Sequence, residues 1–241
     1  MLILAMDTST VVSSVAVMDE ARLLAEVTSG ARLTHSETLQ PHIEMAMKMA
    51  GASRSDIEAV AVGIGPGSFT GLRIGLAAAK AMAYALNVPL VGISTAEAMA
   101  ANLPSPGVHI GALIDAQKKN AYFSIYRWEN GEMIKEQSIR IVPISDAVKR
   151  CGELAERTDM PVMLVGDIAS KKLMARDDLP ANVTVAPVTH VMPCAASAAR
   201  LGIKRLKRGE SDNVMNLEPL YIRRSEAEEL WDERHKEEKS K

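Results

Sequence analysis

The densest set of residues that could do chemistry is a glycine-rich segment in the first third of the chain. Residues 63–75 contain five glycines, a serine and a threonine, and this segment follows an apolar run at 57–62 and leads into a run of small residues at 70–86. Because glycine permits backbone conformations that other residues resist, such a loop can turn its N–H groups toward an anion at a helix N-terminus. The pattern also fits a tight strand-to-helix turn that binds nothing. The residues of this glycine loop are Gly63, Gly65, Pro66, Gly67, Ser68, Thr70, Gly71 and Arg73.

Three familiar catalytic motifs are excluded by the spacing of residues. The Gly-Lys dipeptide of a Walker A phosphate loop occurs nowhere in the chain. Ser68 lies one position too early for the G-x-S-x-G nucleophile elbow, and no H-E-x-x-H zinc motif occurs. His35 and His42 are seven residues apart, which is about 10 Å along a helix axis and too far for them to hold one ion.

The composition is that of an ordinary globular protein. The 241 residues are 47% hydrophobic, 24% charged and 3% aromatic, with a net charge of −2. Such a chain has neither the basic field nor the stacking platform that tight, independent nucleic-acid binding requires. Cys151 and Cys194 are isolated, which indicates a cytoplasmic protein without a disulfide framework or structural zinc. We expect neither a signal peptide nor a transmembrane helix.

Asp7 and Asp115 occupy equivalent places in two similar stretches. Each follows a short apolar run, at 2–6 or 110–114, and precedes a polar turn and a second strand-like run. With the later alternation of strands and helices, this weak duplication predicts an α/β protein of two related domains, each a mixed sheet flanked by helices. The Pro104-Ser105-Pro106-Gly107 sequence predicts the boundary. The predicted domains are 1–103 and 104–222, followed by a charged tail at 223–241 that we expect to be disordered or a frayed helix.

Two predicted helices of the first domain are more apolar than a surface helix normally is. The helix that starts at Ser36 carries several methionines, and the helix at 70–86 has Lys80 as its only charge after Ile74. We therefore expect one face to pack on the sheet and another to contact a partner. Alternatively, all these residues pack on the chain's own sheet. The candidate interface residues are Leu39, Ile43, Met47, Leu72, Gly75, Ala78, Ala79 and Met82.

Five segments together resemble the TsaB (YeaZ) family of bacterial tRNA-modification proteins. The most specific is the Gly-Pro-Gly-Ser-Phe-Thr-Gly-Leu-Arg run, and the others are 1–10, 35–39, 93–95 and 219–223. The resemblance implies two actin-like (ribonuclease H-like) domains, as in actin, Hsp70 and sugar kinases. It also implies a role in making threonylcarbamoyladenosine beside the anticodon. The implied partners are the homologous catalytic subunit TsaD, the ATPase TsaE, a second copy as a homodimer, and tRNA indirectly through the complex.

The resemblance further implies that this chain has lost the chemistry of TsaD. Alignment with TsaD places Thr95 and Met99 at the two positions of its metal-binding His-x-x-x-His. A hydroxyl and a thioether cannot replace imidazoles for a hard or borderline cation. The Gly-Gly-Val-Ala loop that contacts nucleotide in TsaD corresponds to 166–169, where the carboxylate of Asp167 would repel phosphate. We therefore expect a scaffold subunit with no catalytic residue, metal or cofactor of its own, and at most weak nucleotide binding within the complex.

Asp7, Thr8, Ser9 and Asp115 correspond to the nucleotide and cation site of kinase-like relatives. For Asp7 the alternative is a turn residue held by an Asx turn, and Asp115 has lysines close by in sequence with which to pair. An active ATP-dependent kinase or transferase and a metallopeptidase remain alternative functions. One further group of residues fits either a helix C-terminus or a contact with tRNA in the complex: Arg200, Lys204, Arg205, Lys207 and Arg208.

Overall fold

The first sheet is built around a strand that is buried along its whole length. The computed structural model describes residues 1–30 and 34–222. The strands of this sheet are β1 (Ile3–Asp7), β2 (Ser13–Met18), β3 (Leu23–Ser29), β4 (Ala59–Gly65) and β5 (Leu90–Ser94). Their order is β3-β2-β1-β4-β5, with β1 antiparallel to β2 and parallel to β4. Every residue of β1 is buried, as expected for a strand that is covered on both faces.

The second sheet repeats the topology of the first. Its strands are β6 (His109–Asp115), β7 (Asn120–Glu129), β8 (Glu132–Pro143), β9 (Val162–Val165) and β10 (Val183–Val185). The order is β10-β9-β6-β7-β8, and the central β6 is antiparallel to β7 and parallel to β9. Asp7 and Asp115 each end the central strand of their sheet, so the predicted α/β fold with two related units is confirmed.

Helices cover both faces of the first sheet. The α-helices of both parts of the fold are α1 (His35–Ala50), α2 (Phe69–Leu86), α3 (Thr95–Ala101), α4 (Ile144–Thr158) and α5 (Ala195–Lys207), of which α4 packs on the second sheet. On one face, Leu4 of β1 shares a core cluster with Leu39 of α1 and Ala79 of α2. On the other face, Ile3 packs with Ala198 of α5. Successive side chains of a strand point to opposite faces, so the two layers bury alternate residues of β1.

Within the described part of the chain, no helix has both the length and the apolar character that a membrane span requires.

Helices α1 and α2, which pack on the first sheet, each end at a residue in the left-handed backbone conformation. Gly51, at φ 66°, ends α1, because glycine adopts this conformation at little cost. Asn87, at φ 54°, ends α2, because asparagine tolerates this conformation better than other non-glycine residues. At the start of α2, the Ser68 hydroxyl accepts a hydrogen bond from the Gly71 N–H.

The prediction of two contiguous domains at 1–103 and 104–222 is wrong in its placement of α5. This helix follows every strand of the second sheet in the chain, yet it packs on β1 and β2 of the first sheet. Conversely, Met99 of α3 lies in the core of the second sheet. A Pro- and Gly-rich segment marks a loop, but it does not determine which sheet later elements cover. The predicted tail at 223–241 lies outside the described residues.

The sequence analysis also does not predict β8. This strand forms one edge of the second sheet, and most of its side chains are exposed or half-buried. Charged residues such as Lys135, Glu136 and Arg140 interrupt the apolar alternation on which strand prediction rests. Charged side chains are typical of edge strands, because they oppose pairing with other chains.

A segment after α5 returns along the first sheet, and we call residues 212–222 the C-terminal strap. The Asp212 N–H donates to the Leu90 carbonyl at 2.8 Å, and its carboxylate accepts from the Gly92 N–H at 2.7 Å. Further along, the Leu220 N–H donates to the Ile64 carbonyl at 2.7 Å. The strap therefore covers the free edge of β5 and ends beside the glycine loop.

Candidate functional site

The glycine loop lies against the turn that follows β1. A Cβ atom on Gly63 would lie 2.1 Å from Oδ2 of Asp7, and one on Gly67 would lie 2.1 Å from the carbonyl oxygen of Ser9. Both distances are far below van der Waals contact, so only glycine fits at these two positions. These glycines are explained by close packing within the chain.

The same packing continues into the first turns of α2. A Cβ atom on Gly71 would lie 2.0 Å from the Thr8 carbonyl oxygen, and one on Gly75 would lie 2.3 Å from Thr8 Oγ1. The Thr8 hydroxyl donates a hydrogen bond of 2.7 Å to the Gly71 carbonyl. Thr8 is buried at this contact. The candidate interface residue Gly75 is therefore a packing position against β1.

Several N–H groups of the loop already have acceptors within the chain. The Ser68 N–H donates to the Ser9 carbonyl at 2.7 Å, and the Gly71 N–H donates to the Ser68 hydroxyl at 3.2 Å. The Leu72 N–H donates to the Ser68 carbonyl at 2.9 Å. A phosphate-binding loop would leave such groups open to its ligand. The geometry favours the tight-turn alternative over a phosphate loop. Pro66 is buried, whereas Thr70 and Arg73 are exposed.

Asp7 is enclosed beneath this packing. Its Oδ1 accepts hydrogen bonds from the N–H and the hydroxyl of Ser9, at 2.8 and 2.6 Å, which is the Asx turn that the sequence analysis considered. Its Oδ2 is buried, and no residue of the described chain donates a hydrogen bond to it. Burial raises the pKa of this carboxyl, and the Ser9 hydrogen bonds only partly oppose the rise. A cation-binding aspartate would instead present its charged oxygen to the cleft.

A cleft of ≈ 730 Å³ lies between the two sheets, where the ends of β1 and β6 meet. Its first-domain wall includes His35 and the start of α2, and its second-domain wall includes Asp115 and Asp167. The other lining residues include Ser9, Thr10, Val11, Ser68, Phe69, Thr70, Leu220 and Tyr221. Residues of the glycine loop, Ser9 and Asp115 line one cleft, but Asp7 is not among its lining residues.

The two aspartates of the second wall are held within their own domain. Asp115 Oδ1 accepts from the Gln117 N–H at 2.8 Å, and its Oδ2 lies 4.0 Å from Lys172. Asp167 Oδ1 accepts from the Asp115 N–H at 2.9 Å, and its Oδ2 lies 3.8 Å from Lys171. Burial raises the pKa of Asp167. Asp167 thus fills the loop at 166–169 and ties it to the end of β6. The predicted pairing of Asp115 with a lysine is found, but the lysine is Lys172.

Most of the predicted interface residues face the sheet, which corrects that prediction. Six of them are buried in the chain's own core, and the other two are half-buried. The reason is periodicity, because residues three and four apart on a helix share one face and the largest apolar side chains occupy the inward face. The buried six are Leu39, Ile43, Met47, Leu72, Gly75 and Ala79; the half-buried two are Ala78 and Met82.

The outward side of the same helices carries exposed apolar residues, beside the charged Glu44 and Lys48 of α1, and the predicted interface did not include them. Met45 and Met49 of α1 are 51% and 64% exposed, and Tyr84 of α2 is 68% exposed. On α2 the small residues Ala77 and Ala81 complete this face. Counting turns from Leu39 would have placed Met45 away from the buried Leu39 and Ile43, and Met49 at the side of that face, so part of the signal was present in the sequence.

Neither residue at the aligned histidine positions of TsaD is available to a ligand. Thr95 and Met99 are both fully buried, at 0% exposure, and Met99 packs in the core of the second sheet. Within 1–30 and 34–222, no group of three or more His, Cys, Asp or Glu side chains is placed to hold one metal ion. His35 contacts the Thr10 carbonyl at 2.7 Å, and His42 contacts the Ser13 hydroxyl at 3.1 Å.

The basic residues of α5 are engaged within the chain. Arg205 donates to the Gly92 carbonyl at 2.7 Å and pairs with Asp212. Arg200 and Lys204 lie over the ring of Trp128. Lys207 pairs with Glu20, and Arg208 pairs with Glu132. These contacts favour the structural explanation of the cluster over a contact with tRNA.

One exposed cluster lies at the mouth of the cleft and includes a glycine-loop residue. The Arg73 guanidinium carbon lies 3.8 Å from the ring centre of Phe69 and 5.9 Å from that of Tyr221. The Arg73 Nε donates to the Tyr221 hydroxyl at 3.0 Å. All three residues lie in sequence segments noted above, Phe69 and Arg73 in the glycine-rich run and Tyr221 in 219–223. The fold brings Tyr221 of the strap against α2.

Comparison with known sequences gives consistent matches over most of the chain. A family model described as "TsaD: tRNA N6-adenosine threonylcarbamoyltransferase" matches residues 27–231. The "tRNA threonylcarbamoyladenosine biosynthesis protein TsaB" of Bacillus subtilis (strain 168) is 31% identical over 241 residues, which is 98% of this chain and 100% of that protein. The protein of the same name from Escherichia coli (strain K12) is 28% identical and covers 94% of this chain and 96% of that one.

Comparison with solved structures agrees with the sequence matches. A Pseudomonas aeruginosa protein, described as uncharacterized with similarity to peptidase YEAZ, superposes with a TM-score of 0.77 at 27% identity. The match covers 92% of this chain and 99% of that one. A structure described as YeaZ from Pseudomonas aeruginosa gives a TM-score of 0.74 at 26% identity, with the same coverage. The full-length match to TsaB and the shared fold together show that the chain belongs to the TsaB (YeaZ) family.

Proposed function

We propose that this protein acts in tRNA threonylcarbamoyladenosine biosynthesis as a non-catalytic subunit that binds a TsaD-like catalytic homologue. The observation that carries the proposal is the outward apolar face of α1 and α2, which we call the methionine face: Met45, Met49, Ala77, Ala81 and Tyr84. α1 and α2 contact each other, so these exposed residues lie on two adjacent helices. Exposed apolar patches of this kind are typical of protein-binding sites.

The chemistry of the face suits a helical partner. Ala77 and Ala81 are one turn apart and leave room for close approach of another helix, while Met45 and Met49 supply flexible side chains that adapt to its surface. Tyr84 adds an aromatic residue, a type that often dominates binding energy at interfaces. A homologue has equivalent helices, so the same face supports both a heterodimer with TsaD and a homodimer.

Two features support a non-catalytic role. Thr95 and Met99 stand at the aligned histidine positions and are both buried, and Met99 packs in a hydrophobic core. Asp7 is packed against Gly63 and lies outside the lining of the cleft. The alternative of an ATP-dependent kinase or transferase requires Asp7 to reach a cation in the cleft, which this packing disfavours. In our proposal, the subunit stabilises one conformation of TsaD by differential binding, and the pair forms the site for the ATPase TsaE.

Sedimentation velocity of this chain mixed with its cognate TsaD tests the proposal. Met49→Glu and Tyr84→Glu place a charge on the methionine face, and we expect each to weaken association at least about tenfold, or 1.4 kcal/mol. Val188→Glu is the matched control, because Val188 is also exposed but lies in the second domain. Ala79→Glu is unsuitable, since Ala79 is buried and the variant would unfold the domain.

Unchanged association of Met49→Glu and Tyr84→Glu would overturn the docking proposal. Equal weakening by Val188→Glu would show a non-specific effect of charge and would overturn it as well. A separate titration with ATP addresses catalysis. Tight ATP binding by the isolated chain that Asp7→Ala abolishes would restore the kinase or transferase alternative.

A further inference from the structure

An arginine is held against two aromatic rings at the mouth of the cleft, and we call Phe69, Arg73 and Tyr221 the arginine cluster. Phe69 is 40% exposed and Tyr221 is 44% exposed, so the cluster lies at the surface. The ring centres of Phe69 and Tyr221 are 5.3 Å apart. The chain has only two phenylalanines and four tyrosines, so an exposed pair of rings beside an arginine is an uncommon arrangement for it.

The guanidinium of Arg73 is oriented, and no carboxylate among the described residues pairs with it. Stacking on Phe69 and the hydrogen bond from Nε to the Tyr221 hydroxyl fix its plane. Within residues 1–30 and 34–222, no carboxylate lies at ion-pair distance from Arg73, whereas exposed arginines such as Arg22 and Arg176 are paired with aspartates. The outer edge of the guanidinium, with its two NH₂ groups, is therefore free to bind an anion in a two-pronged geometry.

The position of the cluster on α2 also favours an anion. Phe69 and Thr70 are the first residues of an 18-residue helix, and Arg73 lies one turn further on. The positive end of the helix dipole thus adds to the charge of Arg73. Phe69, Thr70 and Tyr221 all line the cleft, so a ligand held by Arg73 would extend along its mouth.

A guanidinium beside exposed aromatic rings matches the chemistry of a nucleotide. Arginine binds phosphate oxygens, and aromatic rings stack with bases of any sequence at about 1–3 kcal/mol per base. We infer that the arginine cluster binds the phosphate of a nucleotide, with its base against an exposed ring of Phe69 or Tyr221. The nucleotide can be free or part of an RNA strand. This site is separate from the turn at Asp7, whose neighbouring N–H groups are already hydrogen-bonded within the chain.

The inference goes beyond the proposed function, because it assigns a ligand to this chain alone and needs no partner subunit. The test therefore uses the full chain without TsaD. Fluorescence anisotropy measures binding of a labelled single-stranded oligoribonucleotide of about ten nucleotides, at about 50 mM salt and above. Unlabelled ATP is then titrated as a competitor.

We expect Arg73→Ala to weaken oligoribonucleotide binding about tenfold and to lower the slope of log affinity against log salt by about 1. Arg73→Lys keeps the charge but loses the two-pronged geometry, and it should recover only part of the affinity. Arg150→Ala is the matched control, since Arg150 is an exposed arginine on helix α4 of the second domain. Its substitution should leave the affinity unchanged.

Two results would support the inference and would distinguish the source of the phosphate. Full competition by ATP indicates a site for a free nucleotide, and binding of the oligoribonucleotide without competition by ATP indicates a strand. The inference is overturned if neither ligand binds, or if Arg73→Ala and Arg150→Ala bind equally. Association with TsaD is measured in a separate experiment, so failure of the docking proposal would leave this result interpretable.

Discussion

The Oγ1 of Thr8 donates a hydrogen bond of 2.7 Å to the carbonyl oxygen of Gly71, and this bond joins the end of β1 to the first turn of α2. The contact is possible because residue 71 has no side chain, since a Cβ there would lie 2.0 Å from the Thr8 carbonyl oxygen. The most specific motif of the sequence therefore acts first as a packing motif, which fixes α2 and its outward face relative to the sheet.

Gly71→Ala should destabilise the fold without touching any exposed surface. The added methyl would overlap backbone atoms, which cannot move as freely as a side chain, so we expect a loss of about 3 kcal/mol in the free energy of unfolding. Urea denaturation followed by circular dichroism measures this loss. Gly30→Ala is the control, because among the described residues its Cβ would approach only Val12, at 4.0 Å, and stability should change by less than about 1 kcal/mol. Equal stability of the two variants would contradict the packing explanation.

Asp7→Asn should be at least as stable as the wild type at pH 7. Burial raises the pKa of Asp7 in the folded state, so the folded state holds its proton more tightly than the unfolded state does. Stability from this group is therefore present below the unfolded pKa, near 3.8, and is lost as the pH rises toward the raised folded value. Asparagine carries no such penalty and still accepts the Ser9 hydrogen bonds.

The advantage of Asp7→Asn over the wild type should shrink as the pH falls toward 4, and urea denaturation between about pH 4 and 8 measures it. Asp7→Ala is the comparison, because it loses both hydrogen bonds from Ser9 and should be destabilised at every pH. If Asp7→Asn were as destabilised as Asp7→Ala at neutral pH, Asp7 would have to be a charged group with a functional counter-ion.

Asp212→Asn tests the C-terminal strap. The Asp212 carboxylate accepts from the Gly92 N–H and pairs with Arg205, so one side chain connects the strap, β5 and α5. Hydrogen bonds to charged groups contribute about 1.5–3 kcal/mol, and we expect a loss near the lower end of that range because the site is only partly buried. Thermal unfolding measures it. Asp177→Asn, at an exposed aspartate of the second domain, should leave the melting temperature unchanged.

Both thiols should be unreactive in the folded protein. Burial raises the pKa of Cys151 to about 12, and burial together with Glu26 raises the pKa of Cys194 to about 11. The thiolate is the reactive form, so alkylation by iodoacetamide at pH 7.5 should be slow until denaturant is added. Mass spectrometry counts the labelled cysteines. Rapid labelling of Cys194 in the native protein would show that its contact with Glu26 opens.

The sequence predicts elements well where one local signal decides them. The repeated strand–Asp–turn pattern at Asp7 and Asp115 predicts the two related sheets. It predicts less where the outcome depends on which surfaces meet. The small residues of α5 do not reveal that they cover the first sheet, and the charged edge strand β8 has no clear apolar alternation.

In the candidate site, too, local sequence predicts some features and the contacts between distant elements determine the others. The glycine loop was found from its composition, but its role in packing depends on the distance to Thr8 and Ser9. The predicted interface residues Leu39 and Ile43 are buried, whereas Met45 and Met49 of the same helix are exposed, because the way a helix turns toward the sheet decides which residues stay accessible. Arg73 and Tyr221 are far apart in sequence, so only the path of the strap brings them together.

The return of α5 and the strap to the first sheet has a consequence for synthesis of the chain. The second sheet is in effect an insertion within the first domain, so β1 has only one of its two covering layers until residue 207 has left the ribosome. Contacts between residues so distant in sequence form slowly. A fragment that ends at residue 103 would leave Ile3 and Ala5 uncovered on one face, and a growing chain passes through this same aggregation-prone state before α5 is made.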